Sequence, residues 1–124
     1  MPTPPEHLDQ ARRNERLADR LINDSPPAYL DWAVTTAFYA AVHYVKYFRA
    51  SQNLSVGDSH DEIHRFFRTP ELRLLQRCYR GMEDDCWAAR YQCSVPTPTD
   101  AEDCVSNSLA RIRQHILGLY PPPA

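Results

Sequence analysis

Glycine is scarce in this chain, at three residues, and no stretch alternates strictly between apolar and polar positions, so both the punctuation and the pattern of β-hairpins are missing. No window reaches the roughly 18 uninterrupted apolar residues that would span a bilayer, so no membrane contact is expected. The opening MPTPPEHLDQ has neither the basic start nor the apolar run of a secretion signal, and a cytoplasmic location is the expectation. Cys78, Cys86, Cys93 and Cys104 form no C-x-x-C pair and have no histidine at ligand spacing, so they read as reduced, small apolar residues, with no metal and no cofactor expected. Gly-rich phosphate loops, nucleophile elbows and zinc-helix motifs are absent as well. A formal net charge of -2 supplies no bulk attraction to nucleic acid. Lysine is nearly absent, Lys46 standing alone among 14 basic residues, and the arginine excess fits either planar anion contacts or a GC-rich genome.

What is present is helical. With 124 residues, 43% hydrophobic and 24% charged, the chain suits one globular domain over residues 1-124, with short proline-rich tails at 1-5 and 120-124. Thr3, Pro4 and Glu6 make a capping box with Pro at the first helical position, predicting a helix over about 4-23. Ser25 followed by Pro26 predicts a second over about 26-50. Ser59 with Glu62 starts a short helix that breaks at Thr69-Pro70, where another begins and runs to about Tyr91. Thr99 with Glu102 caps a last helix to about Leu119, which PPPA cannot extend.

Placing residues at 100° intervals gives the second helix one broad core face of Leu30, Ala33, Val34, Ala37, Ala41, Tyr44, Val45 and Phe48. The last helix repeats this with Ala101, Val105, Leu109, Ile112, Ile116 and Leu119. The first has a narrower stripe interrupted at Asn14, whose amide is expected to bond a neighbouring helix. Such elements joined by short links specify an all-α, antiparallel bundle of four to five helices. The second helix carries a further face of Trp32, Thr36, Tyr39, Ala40, His43 and Tyr47, which a lone bundle would leave uncovered. It reads as a homodimer interface, or as a ligand or RNA groove.

The run YLDWAVTTAFYAAVHYV, followed by Ser59-His60 and later by AARY, Ala88 to Tyr91, resembles the small bacterial HEPN-domain proteins over roughly residues 8 to 118. That resemblance implies a four- to five-helix bundle that commonly dimerises. It also implies action on RNA, as metal-independent ribonucleases in toxin-antitoxin, abortive-infection and CRISPR-linked systems, often beside a nucleotidyltransferase partner. The family's catalytic signature is an Arg followed after four to six residues by a His, usually in the last helices. Here the required positions before His115 hold Ser108, Leu109 and Ala110, while Arg111 and Arg113 stand too close. Neither His60 nor His64 has an Arg in range. The expectation is therefore RNA association in a bacterial stress or defence system without the usual ribonuclease motif. The alternatives are a non-catalytic dimeric subunit for a partner protein and a divergent metal-independent ribonuclease.

For a divergent site, His43 and His60 are the candidate proton carriers and Arg90 the phosphate clamp, since a near-neutral imidazole can take and return a proton and a guanidinium matches phosphate bidentately. The same residues also suit hydrogen bonding across helix contacts. Trp32, Tyr39, Tyr47 and Tyr91 are the candidate RNA or partner contacts. Asp31 near a helix start is explained by the dipole, and Glu83-Asp84-Asp85 by a solvated face. Arg12, Arg16 and Arg20, and Arg73, Arg77 and Arg80, form two basic rows whose acidic neighbours suggest local ion pairs.

Overall fold

The structure, a computed structural model, describes residues 2-123, and among these it contains helices and no strand. Helix α1 spans Pro4–Asn23, with Thr3 and Glu6 exchanging both capping-box hydrogen bonds. Helix α2 is Leu30–Ser51, α3 is His60–Phe66, and a short 3-10 turn at Arg73–Leu75 leads into α4, Gln76–Tyr91. The final helical run has three parts: α5 at Pro98–Glu102, a wide π segment at Asp103–Leu109, and α6 at Ala110–Leu119. The all-α bundle expected from the sequence is the fold that forms.

Three helix starts differ from the sequence expectation. Ser25 does not cap α2, which begins at Leu30 with no side-chain cap. A residue before proline is pushed out of the helical region, and Pro26 precedes Pro27. In TPTD the earlier of two overlapping caps is used: Thr97 accepts from the Asp100 amide at 3.1 Å, which puts Pro98 at the favoured first position. Thr69 does not cap α4, which begins only at Gln76 after the turn at Arg73–Leu75; its hydroxyl donates to the Phe66 carbonyl at 2.6 Å instead. Asn14 accepts from Gln10 on its own helix at 2.9 Å, not from a neighbour. Among the described residues, Arg12, Arg16 and Arg20 make no ion pair.

Helix α2 is the axis of the molecule, packed by α1, α4 and the final helical run. Every residue of its expected core face is buried, and so are Thr35, Phe38, Ala40, Val42 and Tyr47 on its other sides. On the face read as a homodimer interface, Ala40 and Tyr47 are buried within the chain, while Thr36, Tyr39 and His43 are partly exposed. Tyr47 is 3% exposed, donates to the Tyr120 carbonyl at 2.8 Å and meets the Tyr120 ring edge-on. Tyr120 in turn donates to the Ser51 carbonyl at 2.8 Å, and both it and Leu119, expected on the core face, stay exposed. Only Trp32 on that face is strongly exposed.

One polar knot crosses three helices. The Glu15 carboxylate accepts from Tyr44 at 2.6 Å and is paired with Arg113, joining α1, α2 and α6. Burial and the carboxylate beside it push the Tyr44 phenol well above its ordinary value, so it stays a donor. Replacing Glu15 by Ala leaves a buried phenol and a half-buried guanidinium unpaired. Thermal or urea unfolding of Glu15→Ala should show a loss of about 2–3 kcal/mol, against about 1 kcal/mol for Tyr44→Phe, which keeps the ion pair.

Candidate functional site

Helix α4 presents two stripes. Tyr79, Met82 and Cys86 face the core, while Glu83, Trp87 and Arg90 lie one step round, with Asp84 and Tyr91 beside them. On α3, Ile63 and Phe66 are buried, and His60 and His64, one turn apart, face α4. The position of α3 depends on the loop before it. Gly57 adopts φ 81°, and a Cβ there would lie 3.1 Å from the Phe66 ring, so only glycine fits. Arg49 lies 3.8 Å over the same ring and donates through Nε to Ser55 at 2.8 Å.

Between α3, α4 and the middle of α2 opens a cleft of about 390 Å³. The Glu83 carboxylate binds His64 Nε2 at 2.8 and 2.9 Å through its two oxygens, and stands 3.8 Å from His60 Nδ1. His60 rests on the Phe38 ring, and its imidazole is open to solvent. Across the cleft Arg90 donates to the Tyr39 hydroxyl and lies 5.1 Å from the Tyr91 ring centroid. Because Tyr39 accepts from Arg90, its own proton remains free to donate. Trp87 and Tyr91 meet at a tilt of 51° with centroids 4.5 Å apart, and both are more than half exposed. The arrangement offers a cation, a hydroxyl donor, an oriented imidazole, a second imidazole and exposed ring faces on one surface.

Of the residues singled out from sequence, His60, Arg90, Tyr39 and Tyr91 therefore meet in one cleft. Trp32 lies beside it, in a smaller cleft of about 150 Å³ that also has Arg90 as a wall. Tyr47 is buried elsewhere, and His43 belongs to a different contact. Sequence reasoning missed His64, Glu83 and Trp87. The signal was present in the four-residue spacing of His60 and His64 and in Glu83, Trp87 and Arg90 at i, i+4 and i+7, but nothing local joins the two sets. Among the described residues no group of three or more His, Cys, Asp or Glu is arranged to hold a metal.

His43 faces His7 of α1, with Nδ1 to Nδ1 at 3.2 Å, so one ring donates and the other accepts. Burial, then His7 and Lys46, hold the His43 imidazole down at about 4. Burial followed by Lys46 also lowers His7, against the opposing pull of Glu6, while Asp9 and Arg13 stand at the rim.

A family model described as HEPN domain matches residues 5–112 of the chain. Comparison with curated proteins and with solved structures returns no match.

The histidine pair makes stability depend on pH. Both folded values lie below the ordinary 6.5, so between 6.5 and about 4 the unfolded chain binds more protons than the folded one. This contribution is complete above pH 6.5 and lost as pH falls toward 4. Melting temperatures measured from pH 7.5 to 4.5 should fall by several degrees, and a His7→Leu/His43→Leu variant should fall less.

Proposed function

The chain belongs to the HEPN domain family, and on that premise we propose that it associates with RNA through the cleft between α3 and α4. At the level of the family, membership points to RNA-associated, nuclease-like or defence-type roles. The observation that carries the reading is the placement of Arg90. Its guanidinium is held by Tyr39 and flanked by the exposed rings of Trp87 and Tyr91, so a phosphate and the adjoining base are recognised by neighbouring groups. Binding that rests on one principal phosphate contact is weak and modestly salt-dependent, in keeping with the net charge of -2.

A second reading is favoured by Glu83. A carboxylate that orients one imidazole beside a second, within a cleft that also holds an arginine, has the parts needed to deprotonate a ribose 2′-hydroxyl and protonate the leaving oxygen. His60 and His64 would carry the protons in this reading, and His43, engaged with His7, would not. It requires no Arg-then-His signature in the last helices.

Filter binding or fluorescence anisotropy with single-stranded RNA tests the first reading. Arg90→Ala should weaken binding about tenfold with the helical signal intact, and Arg90→Lys should not restore it, because an ammonium lacks the planar fork. Unchanged affinity in Arg90→Ala would place the RNA elsewhere. If the wild type cleaves RNA, activity should survive chelator and be lost in His60→Ala and in Glu83→Gln; cleavage indifferent to both would reject the second reading.

A further inference from the structure

Arg90 is the wall between two clefts, and each is rimmed by a tryptophan that is more than half exposed: Trp87 at 57% on the larger and Trp32 at 55% on the smaller. These are the only two tryptophans in the chain. Large aromatic faces turned to solvent on both sides of one cation are the arrangement in which successive bases of a strand stack while the phosphate between them meets the guanidinium. The two clefts are unequal. The larger is about 390 Å³ and the smaller about 150 Å³, so the smaller encloses less of a nucleotide than the larger. The smaller is floored by Asp31 and Thr35, and the Thr35 hydroxyl already donates to the Asp31 carbonyl at 2.8 Å. The Asp31 carboxylate is an acceptor only, and among the described residues it has no ion-pair partner. It therefore favours a base that presents an exocyclic amino group over uracil, whose Watson–Crick edge has a single N3–H donor flanked by two carbonyl oxygens that repel a carboxylate.

We infer that this protein binds a two-nucleotide step of unpaired RNA across Arg90, with one base on Trp87, the next on Trp32, and an amino-bearing base preferred at Asp31. The inference rests on the RNA reading above and adds to it the single-strand requirement, the site size and the base preference. A duplex is excluded because both rings need an open base face and paired, stacked bases offer none.

The two tryptophans make the test direct. In Trp32→Phe only Trp87 fluoresces, and in Trp87→Phe only Trp32 does. A single-stranded oligoadenylate should quench both variants with the same midpoint, and duplex RNA should quench neither. Oligoadenylate should bind about tenfold more tightly than oligouridylate. That ratio should collapse toward one in Asp31→Asn, whose amide can donate to uracil. Quenching of Trp87 without Trp32, equal quenching by duplex, or an A-to-U ratio unchanged in Asp31→Asn would overturn this inference while leaving RNA association at the larger cleft. Absence of binding to any single strand, measured in parallel by anisotropy, would overturn both.

Discussion

Helix α2 has almost no polar side, and a helix that is apolar nearly all round must be enclosed on every side it cannot leave wet. That requirement organises the molecule. It draws α1 along one flank, α4 along another and the final helical run across a third, and it folds Tyr120 back onto Tyr47 at the far end. Near the middle of helix α2, at Phe38 and Tyr39, the gap between neighbouring helices becomes the cleft, and Trp32 nearer its start stands exposed beside it. The site is the place where enclosure of the central helix stops.

Within that gap the charges are arranged with economy. Glu83 holds the His64 imidazole and stands near that of His60, and Tyr39 fixes Arg90 by accepting a hydrogen bond without cancelling its charge. No carboxylate of the described residues is ion-paired with Arg90, so its charge is available to a ligand. The one strong arginine–carboxylate pair, Arg113 with Glu15, lies in the bundle contact instead, where it ties α6 to α1.

The parts of this fold set by local chemistry were legible in the sequence. The Thr3–Glu6 capping box, the core face of α2 and the stripe from Ala101 to Ile116 follow from spacing alone. Starts governed by competing caps were not: Thr97 and Thr99 are both plausible, and only the realised geometry shows that Pro98 holds the first position. The π segment at Asp103–Leu109 has no proline or glycine to announce it. On the second face of α2, the burial of Tyr47 was not readable, because its cover comes from Tyr120, 73 residues away. The contact of His43 with His7 was illegible for a related reason, since the two lie 36 residues apart and no spacing rule connects them. Of the site, Arg90, His60, Tyr39 and Tyr91 were readable one by one, whereas their convergence depends on α3 docking against α4.

The absence of the Arg-then-His signature has a structural counterpart. The final helices, where such a pair usually stands, do contain arginine and histidine, but these side chains are engaged in holding the bundle together. Arg113 pairs with Glu15, and His115 Nε2 meets the Glu71 carbonyl at 2.6 Å, fastening the segment between α3 and α4 to α6. Arg111 lies against the Cys78 sulfur. A histidine bound to a backbone carbonyl and an arginine bound to a carboxylate on another helix are poorly placed to exchange protons with a substrate. The α3–α4 cleft, by contrast, keeps its cation and one imidazole open to solvent. In this chain the helix that would carry the signature is a brace, and by fixing the segment between α3 and α4 it contributes to the cleft indirectly.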